Sequence, residues 1–348
     1  MLKKRYLMEL FLVFALLILG ISTSHGKTEV SGSISSDTLW TKAESPYVVT
    51  DNLTVLGGIT LTLDLGVVVK LAEYKKMTVS GIINAKGTSS NPIVFTALTD
   101  DEYGGDTNDD GDATSPRRGY WDQLYIGNND SVLDHCVIRY GGRSGSGSSY
   151  IHPMLYIGTS LTVSNSIISH AQNEAVYTRV TPTLSGNTIT NSPYGVVAYS
   201  SSPVLTGNTI KDNTYPVHQR GYSFPVYSGN VIVDNKVQGI AVSGTLTPSD
   251  ARDETWSDVQ GLGLPYVVVE NIEIKSPLSL TLDPGAVVKF AEYKKMTVSG
   301  IINAKGTSDN PIVFTALTDD EYGGDTNDDR DATSPRRGYW DQLYIGNN

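Results

Sequence analysis

Cysteine is all but missing from this chain: Cys136 is the only one in 348 residues. No internal disulfide can form, so cohesion has to come from packing, backbone ladders or bound metal. Cys136 lies in "VLDHCVIRY", where the alternation suggests a buried strand position and a free structural thiol. Positive charge is also short. Lys and Arg number 26 against 37 Asp and Glu, a net charge of −11, which disfavours nucleic acid and anionic lipid as partners because both are bound through cations. Histidine is sparse and scattered, at His25, His135, His152, His170 and His218. There is no H-E-x-x-H, no nucleophile elbow and no compact His/Asp/Ser group.

Long hydrophobic runs are absent after the first 26 residues. The opening "MLKKRYLMELFLVFALLILGISTSHG" has Lys3, Lys4 and Arg5 before an apolar run from Leu10 to Ile21, then small and polar residues. A run of this length falls short of the roughly 17–25 residues that span a bilayer. The segment 1–26 therefore reads as a secretory signal peptide, and with no cysteine after it the sequence argues against a lipoprotein. Its cleavage would take the net charge to −13 and leave no transmembrane segment. A secreted or cell-surface location is expected.

What the chain does have is repetition. Ala72–Asn129 and Ala291–Asn348 align over 58 residues with two differences, Ser90 against Asp309 and Gly111 against Arg330. Upstream the likeness weakens but persists, with Trp40 and Trp256 preceding the two "PYVV" segments. The expected organisation is a cap segment over 27–52, unit one over 53–244, a lead-in to the next unit over 245–264, and an incomplete second unit over 265–348. A shorter period runs inside unit one. Asn165, Asn187, Asn208 and Asn230 recur with Ile167, Ile189, Ile210 and Ile232 two positions on, at spacings of 22, 21 and 22. Each segment holds two short alternating runs rich in Val, Ile, Thr and Tyr, separated by Gly, Asn, Ser and Pro, with no room for a surface helix.

A propeller blade needs roughly 40–45 residues, so a coil of about 22 fits a parallel β-helix instead. The expected fold class is all-β, a parallel β-helix solenoid, for which the family resemblance given next implies the right-handed form. Stacked coils predict an internal isoleucine ladder and an asparagine ladder at a turn, where the amide bonds the neighbouring coil. The segments "PYVV", "LTLDLGVVVK", "LTLDPGAVVKF", "MTVSGIINAKGTSSNPIVFTAL", "GGDTNDDGDATSP", "GYWDQLYI" and the "GN-x-I" coils resemble the secreted right-handed parallel β-helix repeat proteins of bacteria, which share the pectin-lyase-like fold.

Two acidic stretches stand out. "DDEYGGDTNDDGD" at 100–112 and "DDEYGGDTNDDRD" at 319–331 carry fourteen of the 37 acids, within excursions over 99–118 and 318–337. The spacing of Asp106, Asn108, Asp110, Gly111 and Asp112 matches the first half of a calcium loop, since alternate oxygens can converge on one hard cation while glycine allows the turn. The twelfth position, where a calcium loop has Glu, is Arg117, so other oxygens would have to complete the shell, with Asp100 and Asp101 as candidates. Asp325, Asn327 and Asp329 repeat the pattern, with Arg330 in the glycine place. A solvated acidic loop, neutralised by Arg117 and Arg118, is the competing reading.

Function stays open between two classes. The resemblance raises a polysaccharide lyase or hydrolase, for which Lys211, Asp212, His218, Arg220 and Asp234 lie on one flank of the regular coils. Near-verbatim duplication favours a structural and binding module, adhesin-like or directed at polysaccharide or cell-surface glycan, because repetition adds reach and valency. Twenty tyrosines and four tryptophans suit sugar contact, and equally suit packing at coil corners.

Overall fold

Short β-branched runs cut by Gly, Asn and Pro fold into brief strands that turn a corner every few residues. In a computed structural model that describes residues 26–143, 152–249, 251–330 and 332–346, every strand pairing is parallel, and the helical elements are the single turns Lys42–Glu44 and Val259–Gly261. The proposed signal peptide lies almost entirely outside the described residues. No helix among the described residues is long and apolar enough to cross a membrane.

Each coil of unit one contributes one strand to each of three faces. The first face runs through eight strands from Thr38–Trp40 to Val226–Ser228. The second runs from Val68–Leu71 through Ile93–Ala97 and Cys136–Arg139 to Val231–Val233, and the third from Met77–Val79 through Leu124–Ile126 to Ile240–Leu246. First-face partners such as Val163, Leu184, Leu205 and Tyr227 are 21, 21 and 22 residues apart. The coil length expected from the sequence is therefore the one observed.

The core is three columns of inward side chains. Leu63, Ala85, Leu133, Val163, Leu184 and Leu205 stack on the first face, all buried. Val69, Phe95, Ile138, Ile168, Ile189, Ile210 and Ile232 stack on the second, and Met77, Leu124, Leu155, Val176, Val196 and Val217 on the third. Burying each large aliphatic side chain stabilises the rod by roughly 1.5–3 kcal/mol, so cohesion is distributed evenly along the axis.

The isoleucine ladder needs one correction. Ile168, not Ile167, pairs with Ile189; Ile167 points outward and is 46% exposed. In "SNSII" the left-handed turn position is taken by Asn165 (φ 51°), where the next coils place Gly186 and Gly207 (φ 66° and 62°). Asparagine tolerates that conformation, so the coil slips by one against the visible Asn spacing. Ser166 then stands first in the asparagine ladder: its N–H donates to Asn187 Oδ1 (3.0 Å), Asn187 N–H to Asn208 Oδ1 (3.0 Å) and Asn208 N–H to Asn230 Oδ1 (3.0 Å). A parallel ladder that the spacing did not reveal runs through Ser192, Asn213 and Asn235 at the next corner. Each ends on a glutamine that lies outside the repeat. Gln260 accepts from Asn230 N–H (2.8 Å), and Gln238 accepts from Asn235 N–H (3.2 Å).

Unit two continues the rod without a linker, but out of phase. Val217 on the third face pairs with Ile240, Ile240 with Tyr266, and Tyr266 with Val288. Tyr266 corresponds to Tyr47, which pairs with Val69 at the start of the second face. One column of side chains thus changes from third face to second on crossing the junction. The strand Ile240–Leu246 serves both units, closing the last coil of one and opening the next.

Candidate functional site

The first acidic loop leaves the second face after Ile93–Ala97 and rejoins the third at Leu124–Ile126. It does not project from the corner. Val68, Val94 and Val137 form an apolar strip on the outer side of the second face, and Tyr103 packs onto it, so the loop lies flat against the rod. Its acids are neutralised from beneath by cations that the strand alternation places outward. Lys70 is fully buried and its Nζ donates to Gly105 O (2.5 Å). Arg139 grips Asp100 with two bonds, Nε to Oδ2 (2.7 Å) and Nη2 to Oδ1 (2.6 Å), and reaches Glu102 (2.7 Å). Thr96 Oγ1 also donates to Asp100. Burial lowers the Lys70 ammonium despite nearby Asp101, Asp100 and Asp106; burial also opposes the Arg139 charge, but hydrogen bonds to Asp100 and Glu102 outweigh it and hold the guanidinium higher than usual.

These counter-charges differ from those expected. Arg117 pairs with Glu73 and lies over Tyr74 and Tyr120 (5.8 and 5.6 Å), while Arg118 faces a cleft described below. In the second copy Lys289 repeats the role of Lys70, donating to Asp319 O (2.8 Å) and Gly324 O (2.7 Å).

At the loop tip, Asp106 folds the chain around itself: Oδ1 accepts from Asp110 N–H (3.1 Å) and Oδ2 from Gly111 N–H (2.8 Å). Asn108 donates to Asp110 Oδ2 (2.6 Å). Asn108 Oδ1, Asp110 Oδ1 and Asp101 Oδ1 are buried acceptors without a donor. Burial raises the Asp101 carboxyl; Lys70 opposes this, and Asp106, Asp110 and Asp100 add to it. In copy two the carboxylates of Asp320, Asp325 and Asp329 bring one oxygen each to within 4.8 Å of one another, and Asn327 Oδ1 is again a buried acceptor without a donor. Asp101 and Asp320 thus belong with the alternating residues; Asp112 is exposed, as Asp106 is, but takes no part in the hydrogen bonds that fold the tip around Asp106. Such oxygen-rich sets fit a hard cation chemically, because no donor answers the spare oxygens of Asp101, Asn108, Asp110 and Asn327. Arg330 adopts the same left-handed turn as Gly111 (φ 58° and 65°) and donates its N–H to Asp325 Oδ2 (2.8 Å), at a backbone cost of roughly 1–2 kcal/mol.

The two loops flank one corner of the rod. Between them Arg118, Ser192, Asp212, Asn213, Thr214, Asp234, Lys236 and Asp328 line an open cleft of about 420 Å³. Gln238 N–H donates to Thr326 O (2.8 Å), tying the second loop to unit one. Asp212 and Asp234 occupy stacked turn positions (φ 56° and 54°), joined by Asp212 N–H to Asp234 O (3.0 Å), and Lys211 Nζ sits 3.3 Å from Asp212.

The other two candidate residues lie elsewhere. Arg220 lies over the Tyr199 ring (5.7 Å). His218 is buried, stacked on Tyr194 (5.3 Å) with Nε2 2.9 Å from Ser243 Oγ. Burial, helped by Arg220, pushes its pKa down to about 3. The imidazole is then neutral in the fold at every pH where an unfolded chain, titrating near 6.5, takes up a proton. Stability is full above that value and is lost as pH falls toward 3, by up to about 1.4 kcal/mol per pH unit. His218→Gln, which can keep the Ser243 bond, is expected to flatten this part of the profile. Urea unfolding of both chains between about pH 7 and pH 4 checks it, and parallel profiles would count against a neutral buried imidazole.

Residues 124–249 match the family model described as "Right handed beta helix region". A stretch of 76 residues is 36% identical to "Protein bark beetle" of Drosophila melanogaster, covering 22% of this chain and 2% of that protein. The alignment therefore spans a very small part of that relative. No solved structure matches. With parallel coils in register on three faces and the family match over its regular coils, the chain is a right-handed β-helix repeat protein.

Proposed function

We propose that this protein is a secreted or cell-surface rod acting as a structural and binding module, adhesin-like or glycan-directed, with calcium stiffening its acidic loops. The observation that carries the reading is the repeated unit itself: an unbroken ladder joins the two units and sets their near-identical loops on either side of one open polar cleft. A polysaccharide is the partner suited to such a cleft, because hydroxyl-rich chains exchange hydrogen bonds with Asn, Ser, Thr and Asp side chains. Retention of the intact chain on a panel of immobilised polysaccharides tests this, and no retention on any of them would defeat it.

Calcium is assigned to Asp101, Asp106, Asn108 and Asp110 in the first loop and to Asp320, Asp325, Asn327 and Asp329 in the second. Carbonyls and water would complete the six to eight oxygens it takes. Titration calorimetry is expected to give two classes of site, the second weaker because Arg330 adds a cation beside Asp329. At calcium a hundredfold above Kd the stabilisation is about 2.7 kcal/mol per site. Asp106→Asn and Asp325→Asn should each remove one class. No heat and no rise in thermal midpoint would sink the assignment.

A polysaccharide lyase or hydrolase is the second reading. The stacked carboxylates of Asp212 and Asp234, with Arg118 and Lys236 in the same cleft, favour it. Incubation with polyuronates, followed at the ultraviolet band of unsaturated uronate and by reducing-end release, separates the two. Turnover abolished by Asp234→Asn would replace the binding module with an enzyme.

A further inference from the structure

Leu124, Leu155 and Val176 point into the core from the third face, so strand alternation turns Tyr125, Tyr156 and Tyr177 outward, one above another in the parallel register. All three are half-buried at the surface. Their rings meet edge to face, 5.1 Å apart at 85° and again 5.1 Å apart at 87°, and Tyr199 continues the row at 6.4 Å. Tyr125 lies flat on the sheet. A Cβ on Gly127 would stand 2.8 Å from its ring, and one on Gly158, a coil further on, 2.6 Å from its hydroxyl. The second unit repeats the arrangement, with Tyr344 over Gly346 (2.6 Å). A ring laid over glycine turns its far face to solvent.

The charge along this row is unlike that of the chain as a whole. Arg179 and Arg220, from the coils before and after, place their guanidinium groups over the Tyr199 ring at 4.7 and 5.7 Å, and Arg179 is exposed. Stacking uses the flat face of a guanidinium and leaves its in-plane N–H donors for carboxylate or sulfate oxygens. From Met77–Val79 to Tyr215–Arg220 the outward positions of this face carry no Asp or Glu; Glu174, at the head of its strand, is 3% exposed. Fourteen of the chain's 37 acids sit in the two loops, so the net charge of −11 does not describe this face.

Aromatic rings alone would only shield the sheet. Joined to two arginines on a carboxylate-free surface, they call for a partner that combines apolar faces with negative charge. A polysaccharide with acidic groups has both, since its sugar rings offer C–H faces and its carboxylates or sulfates project from the ring edges. Coils stack at ~4.8 Å, so the row from Tyr125 to Tyr199 runs for roughly 14 Å along the axis, which suits an extended chain better than a single ring.

We infer that the outer side of the third face is a binding track for an anionic polysaccharide laid along the rod, its rings on Tyr125, Tyr156 and Tyr177 and its acidic groups at Arg179 and Arg220. The inference rests on the polysaccharide-directed reading above and deepens it, naming the charge of the partner and moving its seat from the corner cleft to the third face.

The test passes the full chain over immobilised hyaluronate, dextran sulfate and dextran, which carry carboxylate, sulfate and no charge. Retention is expected on at least one of the first two, declining as salt rises, and not on dextran. Arg179→Gln and Arg220→Gln should each weaken it about tenfold, the loss for one charge-assisted contact. Tyr125→Leu keeps the glycines covered but removes the ring, and should weaken it roughly three- to tenfold. Lys86→Gln takes the same charge from the first face and should leave retention as it was, which separates the track from net charge. Thermal midpoints show that each variant is folded. Retention on dextran equal to that on the anionic chains, or unchanged retention in the Arg179→Gln/Arg220→Gln double variant, overturns the inference. Loss in Lys236→Gln with both arginine variants unaffected would seat the polysaccharide in the corner cleft, which overturns the inference and leaves the broader reading standing. Retention on no polysaccharide removes both.

Discussion

Arg139→Ala is expected to lower the stability of the protein by about 3–5 kcal/mol, the range for removing one partner of a buried ion pair. Most of that loss comes from Asp100, which is 1% exposed and would keep a charge answered by Thr96 alone among its present side-chain partners. The same substitution removes the guanidinium that lies over the Tyr103 ring (4.5 Å), and with it part of the contact that lays the loop against Val94 and Val137. Hydrogen exchange in residues 99–118 should therefore accelerate by more than in the coils. Arg139→Lys keeps the charge but cannot form the two-pronged bond, and should fall between the two. Denaturant unfolding gives the magnitude; a loss below about 1 kcal/mol would mean that the pair is no better than a surface bridge.

The second large effect is expected at Asn208. Its side chain accepts from Asn187 N–H and Asn187 Nδ2 (3.0 Å each) and donates to Leu184 O (2.8 Å) and Asn230 Oδ1 (2.9 Å), with all three asparagines buried. Asn208→Ala leaves the Asn187 backbone N–H without its acceptor where water cannot reach, while Asn187 Nδ2 keeps Val163 O (2.9 Å) and Asn230 Oδ1 keeps the Asn208 N–H (3.0 Å). One stranded donor at about 1–3 kcal/mol and the other lost bonds at about 0.5–1.5 kcal/mol each, partly relieved by relaxation, give an expected loss of roughly 2–5 kcal/mol. Asn208→Asp keeps the acceptor but turns a buried carboxylate oxygen toward the acceptors Leu184 O and Asn230 Oδ1, so at neutral pH it should cost at least as much. A cost for Asn208→Ala no greater than that of an exposed Asn165→Ala change would show that the ladder contributes little.

The solenoid was readable because its signal is periodic: every coil writes the same alternation at nearly the same spacing, and 21 or 22 residues admits few other folds. Single-residue phase was less legible. Asn165 looks like a ladder residue in "SNSII" but occupies the glycine turn, and only the stacking of Ser166 under Asn187 reveals the slip. In the acidic loop, short-range spacing showed Asp106, Asn108 and Asp110. It did not show Lys70 and Arg139, which lie 35 residues or more from their partners' carbonyl or carboxylate in sequence. Lys70 in "GVVVK" does sit on the outward alternation beside Val68, and a buried cation there is the signal that could have found it.

The change of face at the junction gives the rod a handed surface pattern. The first acidic loop covers the second face of its own unit, and the second loop does the same for a unit whose second face continues the first unit's third. Two almost identical sequences are therefore presented to different sides, about a third of a turn apart on a three-faced rod. A flat surface lying along one side would meet one loop and miss the other, whereas a strand winding obliquely around the rod could meet both. Chirality of approach, absent from either unit alone, is written by the seam.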